Sequence, residues 1–247
     1  MTIVLVLLQT TGLTKRFGGL TAVKDLDLVV KKGEILGLIG PNGAGKTTTV
    51  NLIYGVYRPN SGKIVFDGSD ITYSNPSKNA RLGISRTYQT PRPFFRMKAI
   101  ENVMVAAMFG SKGIRSITEA RKESLEKLEY VGLLKHSETI CNRLTIGELR
   151  RLELARAMAT SPKLLLLDEA LAGLSPSEIN EQIELIKKIR NSGVTILIIE
   201  HLMKAIMNTS DRVVVLDYGE KIAEGTPSEI SRDRKVIEAY LGEEKIA

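Results

Sequence analysis

Apolar and polar positions alternate or cluster through "LLQTTGLTKRF", "AVKDLDLVV" and "GKIVFDG", with Gly and Asn breakers between them. That pattern predicts strands in the first third of the chain. Between the second and third of these lies "GEILGLIGPNGAGKTTTVNLIYGVY", which reads as an apolar strand, a glycine-rich turn and a helix. From about Pro91 to Thr160 the period changes. "IENVMVAAMF", "ITEARKESLEKLEYVGLL" and "GELRRLELARAMA" carry apolar residues at helical spacing with charged outer faces. After Pro162, "KLLLLDE" and "VTILIIEH" are continuous apolar runs, as parallel strands buried on both faces require. "PSEINEQIELIKKIRNSG" between them predicts a crossover helix ending at a glycine. "DRVVVLDYGEKIAEG" predicts a hairpin that turns at Tyr218-Gly219-Glu220. The opening run "IVLVLL" is too short to cross a membrane and is expected at a sheet edge. The expected architecture is α/β, with residues 1–89 and 159–247 as core and 90–158 as an inserted helical lobe.

Composition narrows the function classes. A chain of 247 residues with 43% hydrophobic and 26% charged residues is ordinary for one large globular domain. A net charge of +7 suits an anionic nucleotide, nucleic acid or an anionic membrane surface. No dense Lys/Arg run interleaved with aromatics occurs, so nucleic acid is not the expected partner. The single cysteine, Cys141, excludes an internal disulfide framework and fits a reducing compartment. With only His136 and His201 beside it, Cys141 is expected as a small packed residue, and a zinc site is excluded. No apolar run reaches membrane length, so a membrane role must come through a partner.

Two motifs carry chemistry. "GPNGAGKT", Gly40 to Thr47, matches G-x-x-x-x-G-K-S/T after a predicted strand and before a predicted helix. Gly43 and Gly45 let successive backbone amides face phosphate oxygens, and the helix dipole favours the anion. Asn42, Ala44 and Thr48 complete the phosphate-facing stretch. Lys46 is expected on the β and γ oxygens, and the Thr47 hydroxyl is a hard ligand for Mg2+. The second motif, "LLLLDE", ends an apolar strand in Asp168, which delivers a carboxylate to the magnesium shell. Glu169 follows as candidate general base for an attacking water. The guanine-reading N/T-K-x-D motif is absent, which favours adenine. "RLTIGELRRLELARAMA" raises a further question, because Thr145 and Glu148 form a capping box at the start of an amphipathic helix.

In their order along the chain, these features resemble the ATPases of ABC transporters, a P-loop NTPase fold with an N-terminal antiparallel β subdomain and an inserted α-helical subdomain. "LTIGE" stands where that family carries its LSGGQ signature, and the resemblance covers essentially the whole chain. It implies roles residue by residue. Phe17 in "TKRFGG" is similar to the aromatic that stacks on adenine; a core Phe is the alternative. Gln89 in "RTYQTPRPF" is similar to the glutamine that links Mg2+ and the γ-phosphate to the helical lobe. His201, closing "ILIIEH", is similar to the switch histidine on the γ-phosphate. Thr145 and Gly147 would contact the ATP held by a second subunit, with Ile146 turned away towards the helical lobe.

Three departures from the family pattern occur. Thr145 and Ile146 replace the signature's serine and first glycine, Ala170 stands where a proline is usual, and Ser175 stands where aspartate is common. The first of these, together with "RTYQTPRPF", "RRLELARAMA", "LAGLSP" and the closing "IEAYLGEE", resembles the ATPase subunits of branched-chain amino acid importers. The resemblance implies ATP and Mg2+ as cofactors and a second ATPase subunit as partner. It also implies transmembrane permease subunits and a peripheral place on the cytoplasmic side of the cell membrane. "PRPFF" would meet the permease through Phe94 and Phe95, against the alternative of a buried pair.

Overall fold

A computed structural model describes residues 5–241. The chain runs through β1 (Val6–Phe17), β2 (Leu20–Lys31), β3 (Ile35–Ile39), α1 (Lys46–Tyr54), β4 (Ser61–Phe66) and β5 (Ser69–Asp70). There follow α2 (Pro76–Leu82), β6 (Ile84–Arg86), α3 (Ala99–Phe109), α4 (Ile117–Tyr130), α5 (Ile146–Ala159), β7 (Leu164–Asp168) and α6 (Pro176–Asn191). The last part holds β8 (Thr195–Ile199), α7 (Met203–Thr209), β9 (Arg212–Asp217), β10 (Glu220–Gly225), α8 (Pro227–Ile230) and α9 (Arg234–Leu241). Two compact units result, one of residues up to Pro76 with those from Thr195 onward, the other Ser77–Val194.

In the first unit an antiparallel sheet has the order β2-β1-β4-β5. The opening run departs from expectation here. From Leu8 onward β1 pairs with β2 on one side and β4 on the other, so it is interior to its sheet. Leu7, Leu8 and Leu13 are buried, and a strand between two others carries its apolar side chains under the cover of the same sheet's packing. Ile3 and Val4 of that run lie outside the described residues, as does the end of "IEAYLGEE" from Gly242. The same unit contains parallel pairings of β3 with β8 and β9, and β10 returns antiparallel along β9. Every residue of β3 and β8 is buried, as their unbroken apolar sequence requires.

In the second unit β6 and β7 pair in parallel, with Arg86 opposite Leu166. All five residues of β7 are buried. Helix α4 stops at Tyr130, short of the predicted stretch, because Gly132 takes a left-handed φ of 74° and ends the turn. Helix α6 starts as its sequence demands, with Ser175 as N-cap, Pro176 in the first turn and a Ser175–Glu178 capping box. Helix α5 opens on the expected Thr145–Glu148 box, and Leu152, Ala155 and Met158 are buried while Leu149 is half-buried. Cys141 is buried against Asn102, whose amide donates to its sulfur at 3.2 Å, and burial pushes its thiol pKa up. It is a packed residue. No helix among the described residues is long and apolar enough to cross a membrane.

Leu166 lies at the centre of β7 with no exposed surface. Leu166→Ala should lower stability by about 2–5 kcal/mol through lost burial and a residual cavity, read from the denaturation midpoint at unchanged m-value.

Candidate functional site

The first unit builds a phosphate cradle. β3 ends at Ile39, the loop turns through Gly40–Gly45, and α1 starts at Lys46. Gly45 has φ 96°, a conformation that strains other L residues, and a Cβ there would run into the Ala22 carbonyl. The Lys46 ammonium is buried and donates to the carbonyls of Gly40 and Pro41 at 2.7 and 2.8 Å. It therefore lies over the loop's own concavity, where phosphate oxygens could replace carbonyl oxygens. Asn42, Gly43 and Thr47 are exposed, Thr48 is half-buried, and Ala44 is packed inward. Thr47 is on the first turn of α1, where dipole and free amides favour an anion.

Phe17 ends β1 on the surface at 42% exposure, so the core alternative is dropped. Its ring meets Tyr57 edge to face at 5.2 Å, and the Lys15 ammonium is 5.1 Å from its centroid. His201 is exposed just beyond β8. A feature that the sequence did not reveal comes from α9: the Gly40 amide donates to the Tyr240 hydroxyl at 2.7 Å. Partial burial raises the Tyr240 pKa, and the Gly40 amide opposes that rise. A cavity of about 930 Å³ lies beside this contact, lined by Pro41, Asn42, Gly43, Tyr218 and Glu238 among others.

The second unit builds an acidic half. Asp168 is the last residue of β7, and its buried carboxylate takes a 2.8 Å ion pair from Arg86 at the end of β6. A lone carboxylate in that position would be severely destabilising, and the guanidinium offsets much of the charge. Arg86 was not legible as a site residue, because its place beside Asp168 follows from the β6–β7 register. Glu169 adopts φ 50°, unusual for a residue with a Cβ, so that its side chain leaves the strand direction. The exposed Gln89 donates through Nε2 to Glu169 Oε2 at 2.6 Å. The structure thus brings together two residues that the sequence separates by eighty positions.

The start of α5 combines cap and glycine. The Thr145 amide donates to Glu148 at 2.7 Å, and Thr145 Oγ1 accepts from the Glu148 amide at 3.3 Å. Gly147 is buried, and the Glu178 carboxylate occupies the place a Cβ would need. Glu178 is held there by the Ser175 hydroxyl and amide, which also lower its pKa. Ile146 corrects an expectation. It is 43% exposed and lies against Gly173 instead of turning into the helices, because it sits on the outer side of the first turn while Gly147 takes the buried side. Phe94 and Phe95 are both about half exposed, which removes the buried-pair alternative.

The expected metal donors are the Thr47 hydroxyl, the Asp168 carboxylate and the Gln89 amide oxygen, all hard ligands that fit Mg2+. Among the described residues no group of three or more His, Cys, Asp and Glu side chains could hold a metal by itself.

A family profile described as ABC transporter matches residues 23–172. The chain belongs to the ABC transporter family. Within the cassette, residues 220–246 also match a profile described as Branched-chain amino acid ATP-binding cassette transporter. The cassette is 44% identical to the high-affinity branched-chain amino acid transport ATP-binding protein LivG of Escherichia coli, over 96% of this chain and 98% of that protein. It is 42% identical to the corresponding BraF protein of Pseudomonas aeruginosa over the same shares. Among solved structures, the ADP conformation of an ATP-binding cassette of an ABC transporter has a TM-score of 0.87 at 30% identity, covering 97% of this chain and 100% of that one. A dimeric post-hydrolysis cassette bound to ADP and Pi has a TM-score of 0.80 at 26% identity, covering 89% and 98%. The C-terminal match includes Tyr240, whose hydroxyl accepts from the Gly40 amide.

Lys46→Ala should weaken ATP binding by about 2–5 kcal/mol, since a desolvated charge partner of the phosphates is lost; unchanged affinity by calorimetry would contradict the cradle. Phe17→Ala should weaken it by about 1–3 kcal/mol if the exposed ring stacks on the base. Equal affinities of wild type and variant for ATP would return Phe17 to a surface role.

Proposed function

We propose that this cassette hydrolyses ATP and that the hydrolysis powers import of branched-chain amino acids through membrane permease subunits. The observation that carries the solute class is the match of residues 220–246 to the branched-chain profile, supported by the relatives' names along nearly the whole chain. Residues 1–89 and 159–247 are the nucleotide-binding core in this reading, and 90–158 the helical subdomain.

Phe17 stacks on adenine. Residues Asn42 to Thr48 wrap the phosphates, and Lys46 exchanges its contacts with Gly40 and Pro41 for β and γ oxygens. Thr47, Asp168 and Gln89 would hold Mg2+, which would supply positive charge against the phosphates. Glu169 orients the attacking water and takes its proton, and His201 donates to the γ-phosphate. Thr145 and the amides beside Gly147 complete the site of a second copy or a paralogous subunit. Phe94 and Phe95 present an apolar surface to the permease, which holds the cassette on the cytoplasmic face of the membrane.

The experiment is to isolate the intact complex from the native host and measure ATPase with leucine, isoleucine and valine against urea, amides and other amino acids. Stimulation by urea or amides alone would move the cassette to another solute, and isolation without any membrane subunit would favour a soluble ABC ATPase. In the catalytic assignment, Glu169→Gln should bind ATP with Mg2+, form a stable dimer on size exclusion, and hydrolyse about 10²–10⁴-fold more slowly. Wild-type turnover in that variant would remove Glu169 from the role of base.

A further inference from the structure

The mechanism above does not use Arg150, yet its side chain is only 3% exposed and stands one turn into α5. Its guanidinium donates to the carbonyls of Tyr88 at 2.9 Å, Gln89 at 2.6 Å and Ala172 at 3.2 Å. These acceptors belong to two loops, one after β6 and one after β7. The loops are joined a second time by the Gln89 side chain on Glu169. Within the second loop the Ala172 amide donates back to the Glu169 carbonyl at 3.2 Å. The bonds therefore close a ring. It runs from Arg150 to the Gln89 backbone, through its side chain to Glu169, on to Ala172 and back to Arg150.

The surroundings keep this guanidinium in place. Glu153, one turn along α5, is buried and lies 3.6 Å from it. Burial raises the Glu153 pKa, against which Arg150, the Arg92 amide, Arg156 and the Tyr88 amide all act. Arg156 continues the series with a 2.9 Å bond to the Arg92 carbonyl and a cation–π contact on Phe94. One face of α5 thus grips residues 88–92 by their backbone. A lysine offers a single compact donor group and cannot span carbonyls of two loops in one plane.

We propose that Arg150 is a positioning residue, which sets the Gln89 side chain against Glu169 and so determines when the carboxylate is free to act as base. It stands one turn beyond Thr145 and Gly147, so a shift of the α5 start reaches Gln89 and Glu169 through one rigid planar group. The proposal rests on the hydrolysis reading for its kinetic consequence but not for its structural one.

Two readouts on the full chain test it. In steady-state hydrolysis of Mg-ATP, Arg150→Met should lower kcat by about 100-fold, the usual consequence of misplacing a reacting group by about 1 Å, while KM for ATP changes by less than about twofold. Arg150→Lys should recover only part of the loss. In hydrogen exchange without nucleotide, amides of residues 86–92 should exchange about tenfold faster in Arg150→Met, with those of α1 unchanged. Unchanged kcat, full recovery by lysine, or unchanged exchange at 86–92 would each overturn the proposal. If Arg150→Met opens the whole second unit, Arg150→Met/Glu153→Gln leaves no lone buried carboxylate and is judged by the same two readouts. An inactive wild type would instead overturn the hydrolysis reading, and the exchange experiment would still decide the clamp.

Discussion

A strand buried on both faces has nowhere to put a polar side chain except at its ends, and that constraint organises this protein. β3, β7 and β8 are apolar throughout apart from Gly37, Asp168 and Thr195, and all their residues are buried. β3 gives way to the Gly40–Gly45 loop, β7 ends in Asp168 and Glu169, and β8 is followed by Glu200 and His201. β6 does the same on a smaller scale, with Arg86 at its end and Gln89 just beyond. The chemistry collects at strand ends because charge is strongly disfavoured along the strand itself.

Charges that nevertheless become buried are paired or held by backbone. Asp168 takes Arg86, and Arg212 takes Glu34 at 2.7 Å with a further ion pair to Glu224. Arg150 is different, because most of its bonds go to carbonyls. Its bonds fix the positions of loops and not the charge of one partner. Such a group transmits displacement well, since a planar guanidinium bonded at several points cannot follow one loop without moving the other.

The helix starts show one structure meeting two demands. Thr145 with Glu148 and Ser175 with Glu178 are ordinary capping boxes. The first leaves amides and a hydroxyl at the start of α5, where an anion is favoured. The second aims the Glu178 carboxylate at Gly147. A side chain at position 147 would therefore displace the Glu178 carboxylate from its capping position before it met any ligand.

The glycine-rich loop, the strand ending in Asp168-Glu169 and the Thr145–Glu148 capping box were legible in the sequence, because each is a local arrangement carried by neighbouring residues. The same holds for the periodicities that separate the strands of the first third from the helices of residues 90–158. The Arg86–Asp168 pair, the Gln89–Glu169 bond, the Arg150 ring and the Tyr240 hydroxyl on Gly40 were not legible. Each joins residues separated by tens to hundreds of positions, through strand register or helix docking that no local pattern encodes. The place of β1 inside its sheet and the exposure of Ile146 were decided the same way, by what packs alongside. Sequence determined which groups this protein carries and on which kind of element. Only the tertiary structure decided which of them touch, because hydrogen bonds and ion pairs depend on distance in space and not on separation along the chain.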